Sequence, residues 1–126
     1  MGLDTYASRT PGDVELTAED TAAFEAAAPQ LCGGMYSGGE ASFRGKIYDG
    51  LILEATGESL YQEWITPEAV KQLAEKLGEY APQQLAAISE SIEVSEDRML
   101  SAGECVELQK FLRVCAEQGL GLVGWW

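Results

Sequence analysis

The clearest hydrophobic period lies near the end of the sequence, where apolar residues recur at intervals of three and four. Such spacing places one buried stripe on a helix. The pattern predicts a helix from about Ser101 to Gln118, with Gly119 as the residue that ends it. The cysteines on this stripe are expected to be small core residues. The residues of the stripe are Cys105, Leu108, Leu112 and Cys115.

Three more helices are indicated by the residues at which they would start. Thr17 can cap a helix, and Asp20 stands three residues later, where a capping-box acid stands. Thr66 precedes Pro67, which suits the first position of a helix. The predicted segments run from Thr17 to Ala28, from Thr66 to about Gly78 and from Pro82 to Ser91.

A further amphipathic helix is predicted from Ser42 to Thr56, with Gly57 after it. This prediction rests on a row of apolar residues that are spaced four apart along the sequence. Two internal glycines, Gly45 and Gly50, are each expected to weaken this helix by about 1 kcal/mol relative to alanine. The row consists of Phe43, Ile47, Leu51 and Ala55.

Two segments are predicted to be strands. Apolar and polar residues alternate from Leu3 to Ser8, and the apolar run from Leu120 to Trp126 fits a core strand that pairs with it. The segment from Glu58 to Ile65 has two mixed faces, which leaves open a short strand or an irregular arm. The sequence therefore predicts an α+β fold, with four to five helices packed on a small sheet formed by N-terminal and C-terminal strands, in a single globular domain spanning residues 1–126.

The charge balance limits the partners of the chain. Twenty-one acidic residues against eight basic ones give a net charge of −13 at pH 7. This charge repels nucleic acid and anionic membrane surfaces, and it attracts a basic protein. No apolar stretch approaches the roughly 18 residues that span a bilayer. Three cysteines and the lack of a secretory signal favour the cytoplasm, and the oligomeric state is left open.

The chemistry available to the chain is narrow because the sequence contains no histidine. Histidine-dependent hydrolases and histidine-containing zinc sites are excluded, and three isolated cysteines without a CxxC pair make no zinc site. No metal site and no cofactor are predicted. The composition favours a non-enzymatic role and leaves an enzyme based on carboxylates, lysine or tyrosine open.

The glycine-rich stretch from Leu31 to Lys46 is the candidate ligand site. Its spacing does not match a phosphate-binding Walker loop or a dinucleotide fingerprint. What remains is a helix start with free amides and two cations, which can hold an anion. In the favoured alternative the glycines only provide turns, and Arg44 pairs with an acid. The candidate ligand-binding residues are Ser37, Gly38, Gly39, Glu40, Arg44 and Lys46.

Four aromatic residues are candidates for binding a partner protein, because large aromatic side chains are common anchors of interfaces. They are Tyr61, Trp64, Trp125 and Trp126. Core packing is the competing interpretation. The preferred function is a small acidic interaction module that binds a basic protein, in the manner of an inhibitor, an antitoxin or an immunity protein. The alternative is a domain that binds a small ligand or phosphate at Gly33–Lys46.

Overall fold

The computed structural model describes residues 3–31, 41–92 and 100–126 of the chain. Within these ranges it contains four strands and five helices. None of these helices combines the length and the apolar character needed to cross a membrane. In chain order the elements are β1 (Asp4–Ser8), α1 (Ala18–Ala27), β2 (Ser42–Arg44), α2 (Gly45–Thr56), β3 (Trp64–Ile65), α3 (Pro67–Gly78), α4 (Pro82–Ser91), α5 (Ala102–Gln118) and β4 (Gly121–Trp125).

The strands form one antiparallel sheet in the order β2-β1-β4-β3. The predicted pairing of the first and last strands is confirmed: β1 and β4 run side by side from Asp4 opposite Trp125 to Ser8 opposite Gly121. The predicted α+β fold is confirmed as well. The sheet has two short edge strands in addition, β2 beside β1 and β3 beside β4.

The helix expected from Ser42 is wrong in its first three residues. Ser42–Arg44 is strand β2, which pairs with β1, and the helix begins only at Gly45. Phe43 matched the helical spacing because it also points into the core, where its ring lies 4.9 Å from that of Phe111. Gly45 is needed for the close approach of α2 to β1, since a Cβ there would overlap the Thr5 side chain.

The helices cover one face of the sheet, and α5 is the central helix, in contact with α1, α3 and α4. The buried strand residues on this side include Ala7 and Leu122. Cys105 and Cys115 are buried on α5, as expected. Burial raises the pKa of Cys105 to about 11 and also raises the pKa of Cys115. Both thiols are therefore protonated, unreactive core groups at neutral pH.

A buried carboxylate joins the end of β1 to the start of α1. The predicted capping box is present: Asp20 accepts a hydrogen bond from the Thr17 amide, and the Thr17 hydroxyl accepts one from the Asp20 amide. Arg9 Nε and Nη2 each lie 2.6 Å from an oxygen of the same carboxylate, and Nη2 also donates to the Gln118 carbonyl. Burial alone would raise the pKa of Asp20, but these hydrogen bonds outweigh burial and lower it.

Helix α1 ends at a residue that is unusual in its backbone conformation. Ala28 has φ 46°, in the left-handed region that a non-glycine residue occupies at a cost. We expect Ala28→Gly to raise the free energy of unfolding by about 0.5 to 1 kcal/mol in urea denaturation. Ala87→Gly, inside α4, is the matched control and should lower it by about 1 kcal/mol. Destabilisation by both changes would contradict the strain assigned to Ala28.

Within residues 3–31, 41–92 and 100–126, a buried hydroxyl on β1 finds no hydrogen-bond partner. Thr5 is 1% exposed, and its Oγ1 is unsatisfied among the helix-facing side chains. An unpaired buried polar atom destabilises the folded state, so Thr5→Val, which keeps the shape, should raise the free energy of unfolding by about 1 kcal/mol. Thr5→Ser keeps the hydroxyl and removes the methyl group, and should lower it. Denaturant unfolding of both variants tests the assignment, and a loss of stability in Thr5→Val would refute it.

Candidate functional site

The face of the sheet that points away from the helices, called the outer face here, carries two of the four candidate aromatic residues, Trp64 and Trp125. Because side chains alternate along a strand, the register places cross-strand partners on the same face. One row runs across all four strands, and a second crosses three of them. The rows are Ser42, Tyr6, Val123 and Trp64, followed by Arg44, Asp4 and Trp125.

Trp64 is held on this face by the lack of a side chain at Gly121. The indole of Trp64 lies over Gly121 so closely that a Cβ at that position would overlap the ring. Trp64 itself is half-buried, while Val123, directly opposite it on β4, is only 1% exposed. The glycine at 121 therefore allows the indole to close over the strand beside it.

Two tryptophans next to this position project into solvent. Trp125 is 56% exposed and Trp126 is 52% exposed. Each touches a tyrosine edge-on: the ring centroids of Tyr6 and Trp125 are 5.8 Å apart, and those of Tyr61 and Trp126 are also 5.8 Å apart. Such pairs restrict the indoles without burying them. Both indoles therefore keep exposed aromatic surface that a partner can contact.

The indoles of Trp64, Trp125 and Trp126 line one groove, called the tryptophan groove here. Its volume is about 790 Å³, within the range of ligand pockets. All three tryptophans of the chain, each a candidate anchor from the sequence, line it. The lining residues are Pro11, Gly12, Asp13, Glu63, Trp64, Val123, Gly124, Trp125 and Trp126.

Both charged residues among the described lining of the tryptophan groove are acidic. Asp13 comes from the connection between β1 and α1, and Glu63 comes from the residue before β3. Both are exposed, and neither is paired with a cation within the described residues, where the ion pairs found are Arg9–Asp20 and Lys110–Glu107. The groove therefore combines indole rings with two carboxylates that no cation of the described part of the chain neutralises.

Three residues missed by sequence reasoning complete this region: Tyr6, Asp13 and Glu63. Tyr6 supports Trp125, and Asp13 supplies a carboxylate from a loop more than a hundred residues away in sequence. Tyr6 shares its strand parity with Asp4 and Ser8, so the alternation did mark it as a residue of the polar face. Asp13 carries no comparable signal, because it is one of 21 acidic residues.

The candidate anion site at the glycine loop is described only in part. Ser37, Gly38, Gly39 and Glu40 lie outside the described residues. Arg44 is exposed on β2, opposite Asp4, and Lys46 is half-buried in the first turn of α2.

The amide of Lys46 donates to the carbonyl of Leu3 at 3.4 Å, so one amide of this helix start already has a protein partner. The anion site stays a prediction. Its test is a titration with inorganic phosphate, in which Arg44→Ala should remove any phosphate-induced rise of the melting temperature.

A second groove, of about 370 Å³, lies between α3 and α5. Its lining mixes both signs of charge, with Lys71 and Arg113 against Glu75 and Glu117. The Gln109 side chain there already donates to the carbonyls of Leu77 and Tyr80. It offers no aromatic anchor and no uniform charge, which separates it from the tryptophan groove.

Across residues 3–31, 41–92 and 100–126, no group of three acidic or cysteine side chains is arranged to hold a metal ion. The tryptophan groove accordingly stands out by its aromatic and acidic lining rather than by metal ligands. Searches with this chain match no protein-family model, no curated protein and no solved structure.

Proposed function

We propose that the chain is an acidic protein-binding module that docks a basic segment of a partner protein on the outer face of its sheet, at the tryptophan groove. One observation carries the proposal: all three tryptophans line a single groove together with two carboxylates that have no cation partner among the described residues. Tryptophan and tyrosine are enriched among the residues that dominate binding energy at interfaces.

Charge complementarity selects a basic partner over other occupants. The net charge of −13 attracts a cationic protein over long range and speeds its encounter, while it repels nucleic acid and anionic membrane surfaces. The one exposed cation on the outer face that the register places, Arg44, belongs to β2, at the opposite edge of the sheet from β3. The groove end of the face is therefore the end that favours a basic segment.

A role as an inhibitor, an antitoxin or an immunity protein fits such a module, since each of these acts by covering a partner. We place this role in the cytoplasm, where the free thiols of Cys105 and Cys115 remain reduced. The same two thiols are buried and protonated, which supports binding rather than catalysis as the activity.

The test is a titration with a capped nine-residue peptide of glycine, lysine and arginine, followed by intrinsic fluorescence, because every tryptophan of the chain lines the groove. We expect saturable binding that weakens as salt is added. The double variant Asp13→Asn/Glu63→Gln should weaken it about tenfold, since two charges near the bound cations are lost.

The matched control is Glu75→Gln/Glu117→Gln, which removes the same charge from the groove between α3 and α5. Its dissociation constant should stay within about twofold of the unmodified protein, the range expected for remote surface charges. If the two double variants weaken binding equally, the peptide follows the overall charge of the protein, and the tryptophan groove is not the site.

A further inference from the structure

We infer that the tryptophan groove selects arginine over lysine in the basic segment that it binds. The inference rests on the proposed function and names the side chain that the site recognises. The groove combines flat indole rings with carboxylates. A purely acidic surface attracts any cation, whereas this combination favours the planar guanidinium of arginine.

The walls supply stacking partners for a planar cation. Three indoles line the groove, and indole is the aromatic ring that attracts cations most strongly. Trp64 is fixed over Gly121, while Trp125 and Trp126 are held at one edge by Tyr6 and Tyr61. A guanidinium group is planar and weakly hydrated, and it stacks on such rings, whereas an ammonium group is compact and strongly hydrated.

The carboxylates supply acceptors for the edge of the same group. Asp13 and Glu63 reach the groove from two separate chain segments, and neither has a cation partner among the described residues. A guanidinium carries five N–H donors in a fixed fork, so it can stack on an indole and still donate to a carboxylate at its edge. A lysine ammonium has no flat face to stack on an indole, and it is more strongly hydrated, so it gains less from this combination of groups.

Other ligand classes match the lining less well. None of the described residues that line the groove is basic, which disfavours an anionic ligand. An apolar ligand would desolvate the carboxylates without giving them a partner. A volume of about 790 Å³ also exceeds that of one side chain, so the groove has room for residues on either side of the arginine. A peptide segment with an arginine at its centre therefore fits the whole groove.

The experiment compares three capped nine-residue peptides that are identical except at three positions, which carry arginine, lysine or citrulline. Citrulline keeps the shape of arginine and removes its charge. Binding is followed by intrinsic fluorescence and by the three indole N–H signals in ¹H–¹⁵N spectra of the intact chain. We expect the dissociation constant of the arginine peptide to be at least about fivefold lower than that of the lysine peptide. The citrulline peptide should leave the indole signals unchanged.

The outcomes separate the inference from the proposed function. Equal affinity for the arginine and lysine peptides, with the indole signals shifted by both, overturns the selection of arginine and leaves the basic-segment site in place. Indole signals that respond to neither charged peptide overturn both statements. A citrulline peptide that binds as tightly as the arginine peptide also overturns both, because charge would then play no part.

Discussion

Replacing Trp125 with alanine is expected to weaken binding of the arginine peptide at least about 30-fold, the effect of losing one dominant interface residue. Trp125 is 56% exposed and lines the tryptophan groove, so its indole is free to contact a partner. The same exposure means that its removal takes little area from the core, and the melting temperature should change by only a few degrees. Isothermal titration calorimetry measures the affinity without depending on the indole signal that is lost.

Leu53→Ala is the matched control for this variant. Leu53 lies on α2, is 47% exposed and is not among the residues that line the tryptophan groove. Its truncation also removes exposed apolar area and should leave the dissociation constant within about twofold, as for a surface position outside an interface. The proposed site would be refuted if Trp125→Ala bound the peptide within threefold of the unmodified protein while remaining folded.

Replacing Asp20 with alanine is expected to lower the free energy of unfolding by about 3 kcal/mol, because several hydrogen bonds to one buried carboxylate are lost together. The carboxylate is the acceptor for Arg9 and for the Thr17 amide, and its side chain has no exposed area. Urea denaturation at pH 7 measures the loss. Thr21→Ala, which removes an exposed hydroxyl bonded to the Thr17 carbonyl, is the control and should change stability by less than about 0.5 kcal/mol.

The same carboxylate gives the stability a defined dependence on pH. The hydrogen bonds from Arg9 and Thr17 hold the pKa of Asp20 below its ordinary value despite burial, so the unfolded chain binds a proton there more readily. This contribution is complete above the unfolded pKa of about 3.9 and is lost as the pH falls through the lower folded value. Asp20→Asn should therefore show a shallower loss of stability below about pH 4. Identical acid slopes in the two proteins would contradict this role.

Local sequence signals identified most of the fold. Thr17 and Thr66 each cap a helix in the way that their sequence context indicates, and α5 begins directly after Ser101, close to the expected start. The strand β2 was missed because its existence depends on pairing with β1, about forty residues away, and no local pattern distinguishes it from the first turn of α2. Arg9 was missed as the partner of Asp20 for the same reason, since the contact depends on how β1 returns to α1.

The aromatic residue types of the candidate site could be predicted from the sequence. The place in the fold where these residues come together could not. The tryptophan and tyrosine residues were candidate anchors because of their residue type. Only the register of β1, β3 and β4 shows which face of the sheet Trp64 and Trp125 occupy. Asp13 and Glu63 were not singled out, because the groove that selects them among 21 acids exists only in the folded chain. The long-range pairing of strands therefore determines which aromatic and acidic residues come together, and the composition alone does not.

The proposed site is tested most directly by identifying the residues of the protein that a bound basic peptide contacts. Intermolecular nuclear Overhauser effects between the unlabelled arginine peptide and the isotope-labelled chain report these contacts. We expect effects from the peptide to the indole protons of Trp64, Trp125 and Trp126. Effects confined to the groove between α3 and α5, at residues such as Lys71 and Gln109, would contradict the proposal.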